Sequence, residues 1–200
     1  MPQKTTEKVL EIVQKNGVMR PRDLKAYGFP ASYLHRLYRR GLLERTSRGL
    51  YSLPDSIVTE HHSLAEAARQ ATRAVVCLLS ALRFHGLTTQ APFEVWLAIE
   101  NKDWQPKINH PVIRFVRFSG KAFTEGVETH DIEGVLVKIY SPAKTVADCF
   151  KYRNKIGLDV ALEALRDCLD QRKCSVDDLW YYARICRVSN IMRPYLEAML

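Results

Sequence analysis

Apolar and polar positions alternate with helical spacing from the start of the chain. Val9, Leu10, Ile12 and Val13 share one face of a helix that Thr5 or Thr6 can cap and Asn16-Gly17 ends. A second helix is expected over about 20–27, with Pro21 in its first turn and Gly28 past its end. A third opens at Pro30 and closes at Gly41, where a left-handed residue commonly follows a helix. LLERT and GLYSL then suit two short strands around Ser47-Arg48-Gly49, a hairpin. Helix, helix, helix, hairpin is the order of a winged helix-turn-helix. Pro54-Asp55 reads as a boundary and divides the chain into residues 1–54 and 55–200.

Beyond that boundary the pattern changes. A helix is expected around Ser63–Arg73, and AVVCLLSALRFHGL (74–87) fits a short strand or helix entry followed by a helix ending at Gly86. FEVWLAI (93–99), VIRFVRF (112–118) and GVLVKIY (134–140) read as strands, with one more near Val127–Ile132. Ser141-Pro142 opens a helix with an N-cap residue and a first-turn proline. Leu158, Ala161, Leu162, Leu165, Cys168 and Leu169 keep helical spacing, and Ser175-x-x-Asp178 resembles a capping box for another helix. A last short helix is expected over Tyr195–Leu200. The fold class expected is α+β: an N-terminal winged helix-turn-helix domain followed by a mixed α/β domain that ends in several helices.

Composition narrows the function classes. The 200 residues are 46% hydrophobic, enough for a packed core, yet no apolar run is long enough to span a bilayer. The opening MPQKTTEKVLEIVQKNG is broken by charges and lacks a secretory hydrophobic region, so a cytoplasmic protein is expected. Five cysteines without a C-x-x-C pair suit free thiols rather than a disulfide framework or zinc site. The net charge is +8, and residues 1–53 hold eleven Lys and Arg against four Asp and Glu. One quarter of the chain thus carries nearly all the excess, the electrostatic footprint of nucleic-acid binding. A membrane surface fits less well, because the face opposite the arginines is needed as core.

The third helix concentrates that charge. Ser32, His35, Arg36, Arg39 and Arg40 form a polar and basic stripe, Leu34, Leu37 and Tyr38 an apolar one nearly opposite, and Tyr33 stands on the border. In helix-turn-helix docking the N-terminal part of the second helix of the motif faces base edges in the major groove. That assigns base reading to Ser32, Tyr33, His35 and Arg36 and phosphate contacts to Arg39 and Arg40. The hairpin tip, Arg45, Thr46, Ser47 and Arg48, has the charge to reach a neighbouring minor groove or backbone. Arg20, Arg22 and Lys25 would meet phosphates, which set register without reading sequence. Only Glu44 offers an acid within residues 32–53.

The stretch GVMRPRDLKAYGFPASYLHRLYRRGLLERTSRGLYSLPD resembles the N-terminal domain of AbiEi-type antitoxins of type IV toxin–antitoxin, abortive-infection systems of bacteria. LLSALRFHGL (78–87) and YSPAKTVADCFKYRNKIGLDVALEAL (140–165) look like pieces of that family's C-terminal domain. The resemblance implies a bifunctional protein. A winged helix domain would repress its own operon on double-stranded operator DNA carrying inverted repeats. A C-terminal antitoxin domain would counteract a nucleotidyltransferase-like toxin without a stable complex. Ser32, Tyr33, Arg36 and Arg39, with Arg45 and Arg48 in the wing, match the family's DNA-contacting elements. A monomer or weak dimer is expected in solution, with two copies on DNA.

A search for catalytic constellations assigns no catalytic residue, metal ligand or cofactor. Glu94, Glu100 and Asp103 with Lys102 lack the spacing of a nuclease metal site, as does Glu133 with Lys138. His61-His62 has no matching ligand pair and suits a helix start; His85 suits packing near a helix end, and His110 and His130 stand in loop-like surroundings. No phosphate-binding loop, nucleophile elbow or zinc-protease motif occurs. Phe93, Trp96 and Trp104 could stack bases, but core packing is the better expectation, as it is for Trp180-Tyr181-Tyr182. Two other readings stay open: a free-standing repressor with a ligand-sensing second domain, and a nuclease or nucleotidyltransferase with a DNA-targeting arm.

Overall fold

The computed structural model describes residues 3–47, 49–54 and 59–200. It is a mixed α+β protein with, among the described residues, ten α-helices and two sheets, one of two strands and one of five. The chain divides into two compact units: Met1–Gln70 with Ile108–Pro111 and His130–Val137, and Ala71–Lys107 with Val112–Thr129 and Lys138–Leu200. The first unit therefore runs past the Pro54 boundary to Gln70 and draws in two later segments.

The first unit begins with α1 (Gln3–Asn16), which buries Val9 and Val13 completely. The expected second helix is a short 3-10 segment, Asp23–Tyr27, not an α-helix over 20–27. Only Leu24 of its five residues is buried, so little packing energy is available to extend it. A turn sets its start, with Asp23 N–H donating to Arg20 O (3.0 Å) and Arg20 N–H to Asp23 Oδ2 (3.3 Å).

Helix α2 (Ser32–Arg39) is eight residues long and buries Leu34 and Leu37 completely. Its end is a Schellman closure. Gly41, at φ +70°, donates to Tyr38 O (2.9 Å), and Leu42 N–H donates to Leu37 O (3.0 Å). Strands β1 (Glu44–Ser47) and β2 (Leu50–Ser52) pair antiparallel, with an irregularity between Arg45 and Ser47. Met19 bridges Tyr51 on the other side of β2 through two hydrogen bonds of 2.9 and 3.0 Å. Val9, Val13, Met19, Leu24, Leu34, Leu37, Leu43 and Tyr51 form one core. Helix α3 (His62–Gln70) completes the first unit's helices.

The second unit opens with β3 (Val75–Val76) and α4 (Leu78–His85), resolving 74–87 into strand then helix. Next come β4 (Val95–Glu100), β5 (Ile113–Phe118) and the four-residue α5 (Lys121–Thr124). Strands β6 (Val127–Ile132) and β7 (Val135–Tyr140) follow, within a residue of their expected positions; their facing ends, His130–Val137, belong to the first unit. The sheet order is β5-β4-β3-β7-β6; β3 is antiparallel to β4 and parallel to β7, and β4 is parallel to β5. Helices α6 (Pro142–Lys151), α7 (Arg153–Ile156), α8 (Leu158–Asp170), α9 (Val176–Cys186) and α10 (Ser189–Ala198) end the chain. The Ser175–Asp178 capping box forms with both bonds present. The last helix starts six residues earlier than expected and carries Pro194 inside it, because burial of Met192 and Leu196 rewards the longer helix.

Candidate nucleic-acid interface

Burial of Leu34 and Leu37 fixes which way α2 turns its polar side. Ser32, His35, Arg36, Arg39 and Arg40 are exposed, and Tyr33 is half-buried. The Arg36 guanidinium lies over the Tyr33 ring, 4.1 Å from its centroid, and Phe29 meets that tyrosine edge-on with ring centroids 6.2 Å apart. A stacked guanidinium keeps its donor edge available while its face is held, which suits bidentate pairing. Tyr38, expected on the apolar stripe, is 40% exposed, with its ring 6.1 Å from Tyr51 and 6.2 Å from His35.

Arg36, Arg39 and Arg40 line one side of a groove of about 520 Å³, with Thr6, Glu7 and Leu10 of α1 opposite. Glu7 is the one carboxylate among the described residues lining it. Three guanidinium groups against one acid leave the groove net positive, which draws phosphate toward α2.

The flanking cations differ among themselves. Arg22 and Lys25 are exposed, whereas Arg20 is half-buried. Burial, and then repulsion from Arg22, pull the Arg20 guanidinium below its ordinary value, and Asp23 works against both. Asp23 is a hub: Arg22 Nε stands 3.7 Å from Oδ1 and Arg69 Nη1 donates to Oδ2 at 3.0 Å. Arg69 also donates to Asn16 O (3.1 Å). Arg22 thus faces a carboxylate, whereas Lys25 stands exposed on the 3-10 segment.

In the hairpin, Arg45 is exposed, while the Thr46 hydroxyl is out of solvent. Arg48 and the Ser47 side chain lie outside the described residues. The structure thus brings Ser32, His35, Arg36, Arg39 and Arg40 onto one helix face and sets Arg20 and Thr46 partly inward.

Residues 7–54 match the family of transcriptional regulators described as AbiEi antitoxins. This AbiEi-matching segment spans most of α1, all of α2 and both hairpin strands, so it holds every residue of the basic face. It ends at residue 54 and does not extend to the pieces at 78–87 and 140–165. No curated protein matches the chain. Its fold is similar to the crystal structure of the RV2827C protein from Mycobacterium tuberculosis, with a TM-score of 0.61 and 15% identity over 98% of this chain and 80% of that one. Likeness at that identity concerns fold alone.

Outside the AbiEi-matching segment, several of the residues weighed for chemistry are engaged structurally. Glu94 pairs with Arg114 (2.7 Å) and Asp103 with Arg73 (3.5 Å). Among the described residues no group of three His, Cys, Asp or Glu is placed to hold a metal ion. His62 Nδ1 meets Glu133 Oε2 at 2.7 Å, and His85 Nε2 meets Tyr140 O at 2.7 Å. All five cysteines are free thiols, four of them buried. Trp96 is core, at 3% exposure, but Phe93 and Trp104 are 84% and 83% exposed, against the packing expected for them. No helix among the described residues is long and apolar enough to cross a membrane.

Proposed function

We propose that the protein is a DNA-binding transcriptional regulator whose residues 1–54 act as a winged helix-turn-helix. On this reading α2 lies in the major groove, with Ser32, Tyr33, His35 and Arg36 at base edges and Arg39 and Arg40 on phosphates. Arg45, Thr46, Ser47 and Arg48 form the wing, and Arg20, Arg22 and Lys25 add backbone contacts. The observation that supports it most is the solvent-facing row Arg36, Arg39 and Arg40 on a helix whose opposite side, Leu34 and Leu37, is wholly buried. A solvated helix face alone would not be expected to concentrate three guanidinium groups against a single carboxylate, Glu7.

The AbiEi match supports carrying this further: repression of its own operon through inverted repeats, in the cytoplasm, by two copies on DNA. Residues 55–200 would then serve as the antitoxin domain against a nucleotidyltransferase-like toxin, without a stable complex. Finding a nucleotidyltransferase reading frame directly downstream would favour the antitoxin over a free-standing repressor.

The test is salt dependence. With about six phosphates neutralised across two copies, log K for an operator duplex falls with log[salt] at a slope near −5. Fluorescence anisotropy titrations at several salt concentrations measure it, and a flat response rejects the duplex-binding reading.

A further inference from the structure

A second concavity, of about 760 Å³, lies in the second unit, between the β5–α5 junction, the start of α7 and the α9–α10 junction. Lys121, Lys151, Arg153 and Arg187 line it, with Ile185 and Ile191 among its apolar walls. No Asp or Glu is among the described residues lining it. Four cations around one concavity, with low-dielectric walls, focus a positive potential inside it. The volume falls within the range of small-molecule sites, about 300–1,000 Å³.

Two of the cations, Arg153 and Arg187, are held by hydrogen bonds to the backbone. Arg153 Nη1 donates to Phe150 O at 3.0 Å, which orients the guanidinium. Arg187 follows α9 at φ +60°, where its N–H closes the helix on Arg184 O at 3.1 Å. Glycine is usual at such a position, and an arginine held there is a strained choice of the kind that gathers at ligand sites. Asp148, which could oppose an anion, is 1% exposed and engaged by Lys144 Nζ (2.5 Å) and the Cys186 thiol (3.1 Å).

We infer that this cleft binds a nucleoside di- or triphosphate, its phosphates on the Lys121–Lys151–Arg153–Arg187 ring and its base against the isoleucine wall. The inference does not depend on the duplex-binding reading of α2.

Isothermal titration of the full chain with ATP, GTP and pyrophosphate tests it. The expected result is saturable one-to-one binding of a nucleoside triphosphate, tighter than pyrophosphate, and at least about tenfold weaker in Lys121→Gln/Arg187→Gly, because charge-assisted hydrogen bonds are lost. Glycine accepts the backbone at 187 and Lys121 is exposed, so folding is retained; Lys121→Gln alone gives the same reading should the pair melt early. Arg36→Ala/Arg39→Ala leaves nucleotide affinity unchanged. Four outcomes overturn the inference: no saturable binding up to about 1 mM; equal affinity for pyrophosphate; binding indifferent to the cleft variants; or duplex DNA displacing the nucleotide while the cleft variants weaken duplex to the same degree.

Discussion

Arg36 and Lys25 carry the same charge but different geometry. The Arg36 guanidinium is held over Tyr33 and presents a planar fork, whereas Lys25 is an exposed point charge on the 3-10 segment. Arg36→Ala should therefore relax preference at one operator position, worth about 1–3 kcal/mol of discrimination. Lys25→Ala should weaken every duplex alike and reduce the salt slope by about one. Competition between operator and scrambled duplexes separates the two, and equal effects on both would contradict the division between reading and positioning. The basic face was legible in the sequence because helical periodicity alone places Arg36, Arg39 and Arg40 opposite Leu34 and Leu37. The Arg69–Asp23 pair was not, because its partners are 46 residues apart and no local pattern encodes a partner at that distance.

Among the elements, α2 could be read closely from sequence because Pro30 and Gly41 punctuate it and its apolar residues recur in register. The 3-10 segment could not, since five residues with one buried side chain carry too weak a pattern to separate it from an α-turn. Helix α6 hides a different feature. Lys144 and Asp148, spaced like a solvated i,i+4 pair, are at 0% and 1% exposure. Lys144 Nζ lies 4.1 Å from the Tyr140 ring centroid and 4.8 Å from that of Phe118. Burial lifts the Asp148 carboxyl above its ordinary value even against the pull of Lys144. Removing one partner strands the other, so Lys144→Met should destabilise by about 3–5 kcal/mol. Lys144→Met/Asp148→Leu should recover more than half of that, as urea unfolding would measure; a double variant no better than the single would show that the charges themselves are not the issue.

At the scale of the whole molecule, the first unit is discontinuous in sequence, and one turn shows how it is closed. Glu133, at φ +53°, accepts hydrogen bonds from Thr59 N–H (3.0 Å) and Oγ1 (2.8 Å) and meets His62 at 2.7 Å. A Cβ on Gly17 would stand 2.6 Å from the Glu133 carbonyl oxygen, so α1 ends against that turn. The boundary at Pro54 was read from local punctuation, which cannot register segments that return from residues 108–111 and 130–137. Burial alone would raise the Glu133 carboxyl, but the bonds from Thr59 and His62 outweigh it and hold the group below its ordinary 4.5. A lowered folded value gives stability that is complete above the unfolded 4.5 and lost as pH falls from there through the lower folded value. Glu133→Gln should therefore cost about 1.5 kcal/mol at neutral pH, a gap that narrows below 4.5 in thermal melts. A gap constant with pH would remove Glu133 from the account. During synthesis, the closing turn leaves the ribosome long after α2 does. At about 5–20 residues per second, the nascent chain waits on the order of 5–19 s for it. Until then it is an unfinished body exposed to proteases and chaperones, which ties closure of the first unit to synthesis of most of the chain.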